Sequence, residues 1–110
     1  MDSPSERFEK SLTKDNLWLY IFTLLQKRDL YPYEIRDEIQ NKFGFTPGNM
    51  TAYVVLKKLK SGGYVEEGKK VKEKGPERTF FKITNKGIEE LNKAKELHKK
   101  LGNYLFNEQK

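Results

Sequence analysis

The run Leu17-Trp18-Leu19-Tyr20-Ile21-Phe22-Thr23-Leu24-Leu25 carries almost no polar surface, and it constrains the fold more than any other feature of the chain. A stretch apolar on nearly every side must be enclosed by neighbours, either as a buried strand or as a helix inside a bundle. Its length and the polar continuation Gln26-Lys27-Arg28-Asp29 favour a helix, with Asp15 or Asn16 as its cap. It falls far short of the roughly 20 residues needed to span a bilayer, so no membrane crossing is expected. Apolar residues are scarce elsewhere: they make up 35% of the 110 residues, and charged residues another 35%. So lean a composition predicts one small domain that is either elongated or shares an interface.

Proline and glycine divide the remainder. Ser3-Pro4-Ser5-Glu6 has the spacing of a capping box, and Phe8 and Leu12 stand four apart, so residues 1–14 read as a short amphipathic helix or as a frayed tail. Pro32 opens a second helix with Tyr33, Ile35, Ile39 and Phe43 near one face, closed by Gly44. Thr46-Pro47 looks like a cap followed by a first-turn proline. The helix it starts, about 47–61, carries the stripe Ala52, Val55, Leu56 and Leu59 and stops at Gly62-Gly63. Two β-prone runs, Tyr64-Val65-Glu66-Glu67 and Arg78-Thr79-Phe80-Phe81-Lys82-Ile83, flank a charged segment and a Gly75-Pro76 turn, which reads as a hairpin. Thr84 caps a last long helix. The order helix, helix, helix, hairpin, helix is mainly α with a small β-hairpin (α+β), the winged helix-turn-helix arrangement. The expected organisation is an N-terminal extension over 1–14, a winged helix-turn-helix over 15–83, and a C-terminal helix over 84–110.

Charge then points to function. The chain is +6 overall, and the excess is local: residues 57–86 hold ten basic and four acidic residues, whereas residues 1–56 hold seven and eight. Charge concentrated in this way marks a surface that meets a polyanion; the alternative is a solvated lysine face. There is no cysteine, which excludes disulfides and thiolate metal sites. A lone histidine, His98, makes a metal site improbable. No glycine-rich phosphate cradle and no nucleophile beside a base suggests an enzyme, so no catalytic residue, metal or cofactor is expected. The start MDSPSERFEK lacks the order of a secretory signal, and a cytoplasmic, nucleoid-associated protein is expected.

Three segments resemble the PadR family of transcriptional regulators: Tyr31-Pro32-Tyr33-Glu34-Ile35, the spaced Tyr53, Leu56, Leu59, Gly63 and Tyr64, and Gly75-Pro76-Glu77-Arg78-Thr79-Phe80-Phe81-Lys82-Ile83-Thr84 followed by Gly87. The similarity covers roughly 17–91. Pro32 stands where the family usually has glycine, and Thr79-Phe80-Phe81 where lysine and two tyrosines are usual. The resemblance implies a dimeric repressor. Some family members hold flat aromatic ligands with a tryptophan of the last helix. Here the only tryptophan is Trp18, so a small-molecule effector has no support in the residues.

Helical phase assigns the contacts. Opposite the apolar stripe lie Met50, Val54, Lys57 and Ser61, flanked by Asn49, Thr51 and Tyr53. Asn49, Met50, Thr51, Tyr53 and Val54 are the candidates for base readout in the major groove, and Lys57 and Lys58 for phosphate contact. For Val54 ordinary exposure, and for Tyr53 core packing, weigh as much. In the wing, Lys70, Lys72, Lys74 and Arg78 are assigned to the backbone or minor groove, in preference to a merely solvated tip. Along the last helix Leu91, Ala94, His98, Leu101 and Leu105 follow a 3-4 spacing that fits a homodimer on a palindromic operator, or packing on the helix's own domain. A non-specific architectural DNA-binding protein and a winged-helix protein-interaction module remain the alternatives.

Overall fold

The apolar run is a helix, and the rest of the domain is built around it. The computed structural model describes residues 2–107, without the side chains of Asn49 and Met50. Five helices and one hairpin follow in order: α1 Pro4–Leu12, a 3₁₀ turn Lys14–Asn16, α2 Leu17–Leu25, α3 Pro32–Phe43, α4 Asn49–Ser61, β1 Val65–Val71, β2 Arg78–Ile83 and α5 Asn85–Phe106.

Helix α2 buries Leu17, Ile21, Phe22, Leu24 and Leu25. Each such side chain contributes roughly 1.5–3 kcal/mol on leaving water. Both hydroxyls of the run are satisfied: Thr23 donates back to the Leu19 carbonyl at 2.7 Å, and the Tyr20 hydroxyl donates to the Leu12 carbonyl. Asn16 occupies the cap position but makes no side-chain cap; its amide oxygen accepts from the Trp18 indole at 3.2 Å. Ile35 and Ile39 of α3, Ala52 and Leu56 of α4, Val65 and Phe81 of the hairpin close around α2.

The hairpin is antiparallel, Val65 facing Ile83 and Val71 facing Arg78, with a bulge between Glu67 and Lys70. A third strand-like contact joins it to the body. The Leu30 amide donates to the Phe81 carbonyl at 3.2 Å, and the Phe81 amide returns a bond to Leu30 at 2.7 Å. This bridge fixes the wing against the start of α3.

At the N-terminus the capping box forms: the Glu6 amide donates to Ser3 Oγ at 3.2 Å and the Ser3 amide to Glu6 Oε1 at 3.0 Å. Helix α1 buries none of its side chains, so Phe8 and Leu12 stay exposed. At the other end α5 has 22 residues, about 33 Å of helix. Its first turns pack through Gly87, Ile88 and Leu91, while Leu97, Leu101, Tyr104, Leu105 and Phe106 are exposed. These protruding parts raise the radius of gyration to 15.6 Å, above the roughly 13 Å of a compact chain this long.

Candidate nucleic-acid interface

The turn between α3 and α4 sets how α4 is presented. Gly44 ends α3 in the left-handed region, at φ 78°. The Tyr20 ring then sits edge-on to both Phe43 (5.0 Å) and Phe45 (4.9 Å), which pins the turn to α2. The expected start at Thr46-Pro47 is corrected. The Thr46 hydroxyl bonds the Gln40 side chain, and Pro47 lies buried in the turn with its carbonyl accepting from Arg36 Nε at 3.0 Å. Helix α4 therefore begins at Asn49, behind Gly48 and with no side-chain cap.

The phase of α4 follows from what it buries. Ala52 and Leu56 are in the core, and Val55 and Leu59 are half-buried against it. The opposite face presents Thr51, Val54, Lys57, Lys58 and Ser61, all exposed. Val54 is 42% and Tyr53 47% exposed, so Tyr53 is no core residue. Lys57 Nζ lies 5.2 Å from the Tyr53 ring centroid, which keeps that lysine over the early part of the helix. Asn49 and Met50 belong to this helix, but their side chains lie outside the described residues.

On α3 the expected single face also needs correction. Ile35 and Ile39 are buried, but Tyr33 is 61% and Phe43 39% exposed. Tyr33 stands two residues before Ile35, about 200° around the helix, and turns outward. It lines a cleft of about 620 Å³ with Tyr31, Tyr53 and Arg78, between α3, α4 and the wing. The sequence offered Tyr31 only within a motif, and Tyr33 there and on the core face of α3. Their place beside Tyr53 depends on the packing of three elements.

The wing's charge is less free than its composition suggests. Lys60 Nζ reaches Glu67 Oε2 at 2.6 Å, Lys70 approaches the other Glu67 oxygen at 3.9 Å, and Lys82 pairs with Glu66 at 3.4 Å. The hydrogen bond from Lys60 holds the Glu67 carboxyl below the ordinary carboxylate range. Three of the ten basic residues between 57 and 86 are thus partnered by two acids of β1. Lys70 lies on β1, whereas Lys72 and Lys74 lie in the tip, where Gly75 has φ 90°. Arg78 opens β2, its guanidinium 5.0 Å from the Tyr31 ring centroid.

An exposed face of α4, a basic hairpin and a tyrosine-lined cleft between α3, α4 and that hairpin complete a winged helix-turn-helix. The model of the transcriptional regulator PadR-like family matches residues 21–93. The chain belongs to the PadR-like family.

Its fold is that of solved family members. A PadR family transcription regulator from Clostridium difficile is 26% identical, over 79% of this chain and 94% of that one, with a TM-score of 0.66. A transcriptional regulator from Clostridium thermocellum aligns over 91% of this chain and 99% of that one, with 24% identity and a TM-score of 0.75. Bacillus subtilis PadR, solved in complex with operator DNA, is 25% identical over 70% of this chain, with a TM-score of 0.64; the match covers 44% of that protein. No match was found among curated proteins.

Within this PadR-like chain the stripe on α5 divides. Leu91 packs on the core of its own domain. Ala94 and His98 line a depression of about 430 Å³ with Leu19 and Thr23 of α2. Leu101 and Leu105 face solvent together with Leu97 and Tyr104. Among the described residues no cluster of acidic and histidine side chains is arranged to hold a metal, and no helix is long and apolar enough to cross a membrane.

Proposed function

We propose that this chain is a sequence-specific transcriptional repressor that binds a palindromic DNA operator as a homodimer. The observation that carries the reading is that Tyr53 of α4 and Pro76 and Arg78 of the wing line one cleft, while Thr51, Val54, Lys57 and Lys58 of α4 and the lysines of the tip are exposed. The operator complex of the Bacillus subtilis relative supports the same reading. On the proposed reading, α4 enters the major groove, and Asn49, Met50, Thr51, Tyr53 and Val54 read base edges. Lys57, Lys58, Lys70, Lys72, Lys74 and Arg78 meet phosphates or the minor groove, supplying affinity with little sequence information. The protein works in the cytoplasm, on the nucleoid.

The test is a titration of a duplex from the gene's own upstream region against unrelated DNA, at several salt concentrations. Preference for the first by about a thousandfold is expected of a specific regulator. Equal affinity for both overturns sequence specificity in favour of an architectural role. No binding to either at low salt overturns DNA as the partner and leaves an acidic protein.

The homodimer rests on the distal half of α5, where Leu97 is 55% and Leu105 67% exposed, more apolar surface than a helix end leaves in water without a partner. In the proposed dimer Phe8 and Leu12 of α1, also exposed, join the contact, and Ala94 and His98 extend it along α5 to the half-buried Leu91. Half-sites about one helical turn apart, roughly 34 Å, follow from two-fold symmetry. Sedimentation of Leu101→Glu/Leu105→Glu should give a folded monomer where the wild type is dimeric. A wild type that sediments as a monomer at all concentrations would remove the dimer from the proposal.

A further inference from the structure

We infer that Tyr31 is a positioning residue for DNA binding, its ring holding the Arg78 guanidinium at the mouth of the cleft between α3, α4 and the wing. The inference rests on the DNA-binding reading above and adds a residue to which that reading gives no role.

Tyr31 is fixed from both directions along the chain. Its neighbour Leu30 exchanges two backbone hydrogen bonds with Phe81. Its own amide donates to Glu34 Oε1 at 3.3 Å, while the other Glu34 oxygen lies 3.3 Å from Arg28. Its ring meets Phe80 edge-on at 5.3 Å and turns its face to Arg78 at 5.0 Å. The side chain therefore stands on the rigid start of α3 and reaches across to the first residue of β2. Arg78 by contrast is exposed and follows the tip that carries Lys72, Lys74 and Gly75. A long side chain in such a place loses much rotamer freedom when it binds a ligand. A planar guanidinium laid on an aromatic face has lost part of that freedom already, and its outward N–H groups stay available to a phosphate.

The arrangement also links two parts of the surface. The wing is bulged between Glu67 and Lys70, a distortion that bends a hairpin. Tyr31 registers the arginine against α3, and hence against Tyr33 and Tyr53 on the other walls of the cleft.

The experiment is a double-mutant cycle on duplex affinity with Tyr31→Phe, Tyr31→Leu, Arg78→Ala and the double variant Tyr31→Leu/Arg78→Ala, at one salt concentration. Thermal melting of each variant reports whether the fold is intact. Tyr31→Phe keeps the ring and should bind as the wild type does. Tyr31→Leu should bind about threefold to fivefold more weakly, the range of an exposed cation–π contact. In the Arg78→Ala background the same change should cost nothing. A second readout needs no DNA: the Arg78 Nε–H proton should be ring-current shifted in the wild type and in Tyr31→Phe, and should return to its ordinary position in Tyr31→Leu. Equal losses with and without Arg78, or an unshifted Arg78 resonance in the wild type, overturn the proposal while duplex binding by the wild type still stands. A wild type that binds no duplex overturns the DNA reading itself, and the proposal with it.

Discussion

Gly87→Ala is expected to lower stability by about 3 kcal/mol, although alanine is the better helix former. Gly87 is the third residue of α5, so by propensity alone the exchange would add roughly 0.5–1 kcal/mol of stability. Space decides the sign. A Cβ at Gly87 would lie 2.4 Å from the Tyr64 carbonyl oxygen and 2.6 Å from Ile83 Cγ1. The carbonyl cannot retreat, because it accepts a hydrogen bond from the Thr84 amide at 3.1 Å. Thr84 is anchored in turn: its hydroxyl donates to Gly63 at 2.7 Å and accepts from the Gly87 amide at 3.2 Å. Helix α5 must therefore shift as a body, loosening Leu91 from the core. A melting temperature lower by roughly 10–15 °C is expected for a domain of this size. Thr84→Ala, which removes the cap and the hydroxyl's bond to Gly63, should cost less, about 1–2 kcal/mol. A Gly87→Ala protein that melts with the wild type would show that α5 does not pack so closely.

The same motif shows why some of the structure was legible and some was not. Thr84 followed by Gly87 reads as a helix start from local chemistry, and the capping bond that realises it spans three residues; the bonds from Thr84 back to Gly63 and Tyr64 were not legible. The stripe Ala52, Val55, Leu56 and Leu59 was equally legible, since one helical period determines which side of α4 is buried. Resemblance supplied the family, and the match over 21–93 agrees with it. Helix α1 and the distal half of α5 lie outside that match. What failed was what depends on distant partners. Thr46-Pro47 has the form of a helix start, but Arg36, eleven residues earlier, takes the Pro47 carbonyl and the helix waits until Asn49. Tyr33 was placed towards the core with its apolar neighbours, although at about 100° per residue it stands roughly 120° from Ile39 and turns outward. The Leu30–Phe81 bridge joins residues 51 apart, beyond the reach of any periodic pattern. Net charge was the most misleading guide in detail. The excess in residues 57–86 is real, yet Glu66 and Glu67 engage Lys60, Lys70 and Lys82 once α4 and the hairpin come together.

Those pairs change what the wing is expected to do when its lysines are removed. Replacing Lys70, Lys72 and Lys74 by alanine should weaken binding to every duplex by about fiftyfold near 0.1 M salt, and should flatten the dependence of log K on log salt by about two. If all three lysines displaced counterions equally, the slope would change by nearly three, at about 0.9 per phosphate contact. Lys70 already sits 3.9 Å from Glu67, so bringing it to a phosphate means leaving a carboxylate, and its net release of counterions is smaller. Lys72 and Lys74 lie in the tip, and they carry most of the effect. Lys70→Ala alone should therefore move the slope by less than half a unit, and Lys72→Ala/Lys74→Ala by nearly the whole amount. Because phosphates carry no sequence, the ratio between operator and unrelated DNA should stay constant while both affinities fall. Substitutions at Thr51 or Val54 should do the reverse, compressing that ratio at an unchanged slope. An unaltered slope in the triple variant would place the wing off the phosphate backbone. A slope change of three would show that Glu67 releases Lys70 to the DNA and keeps only Lys60.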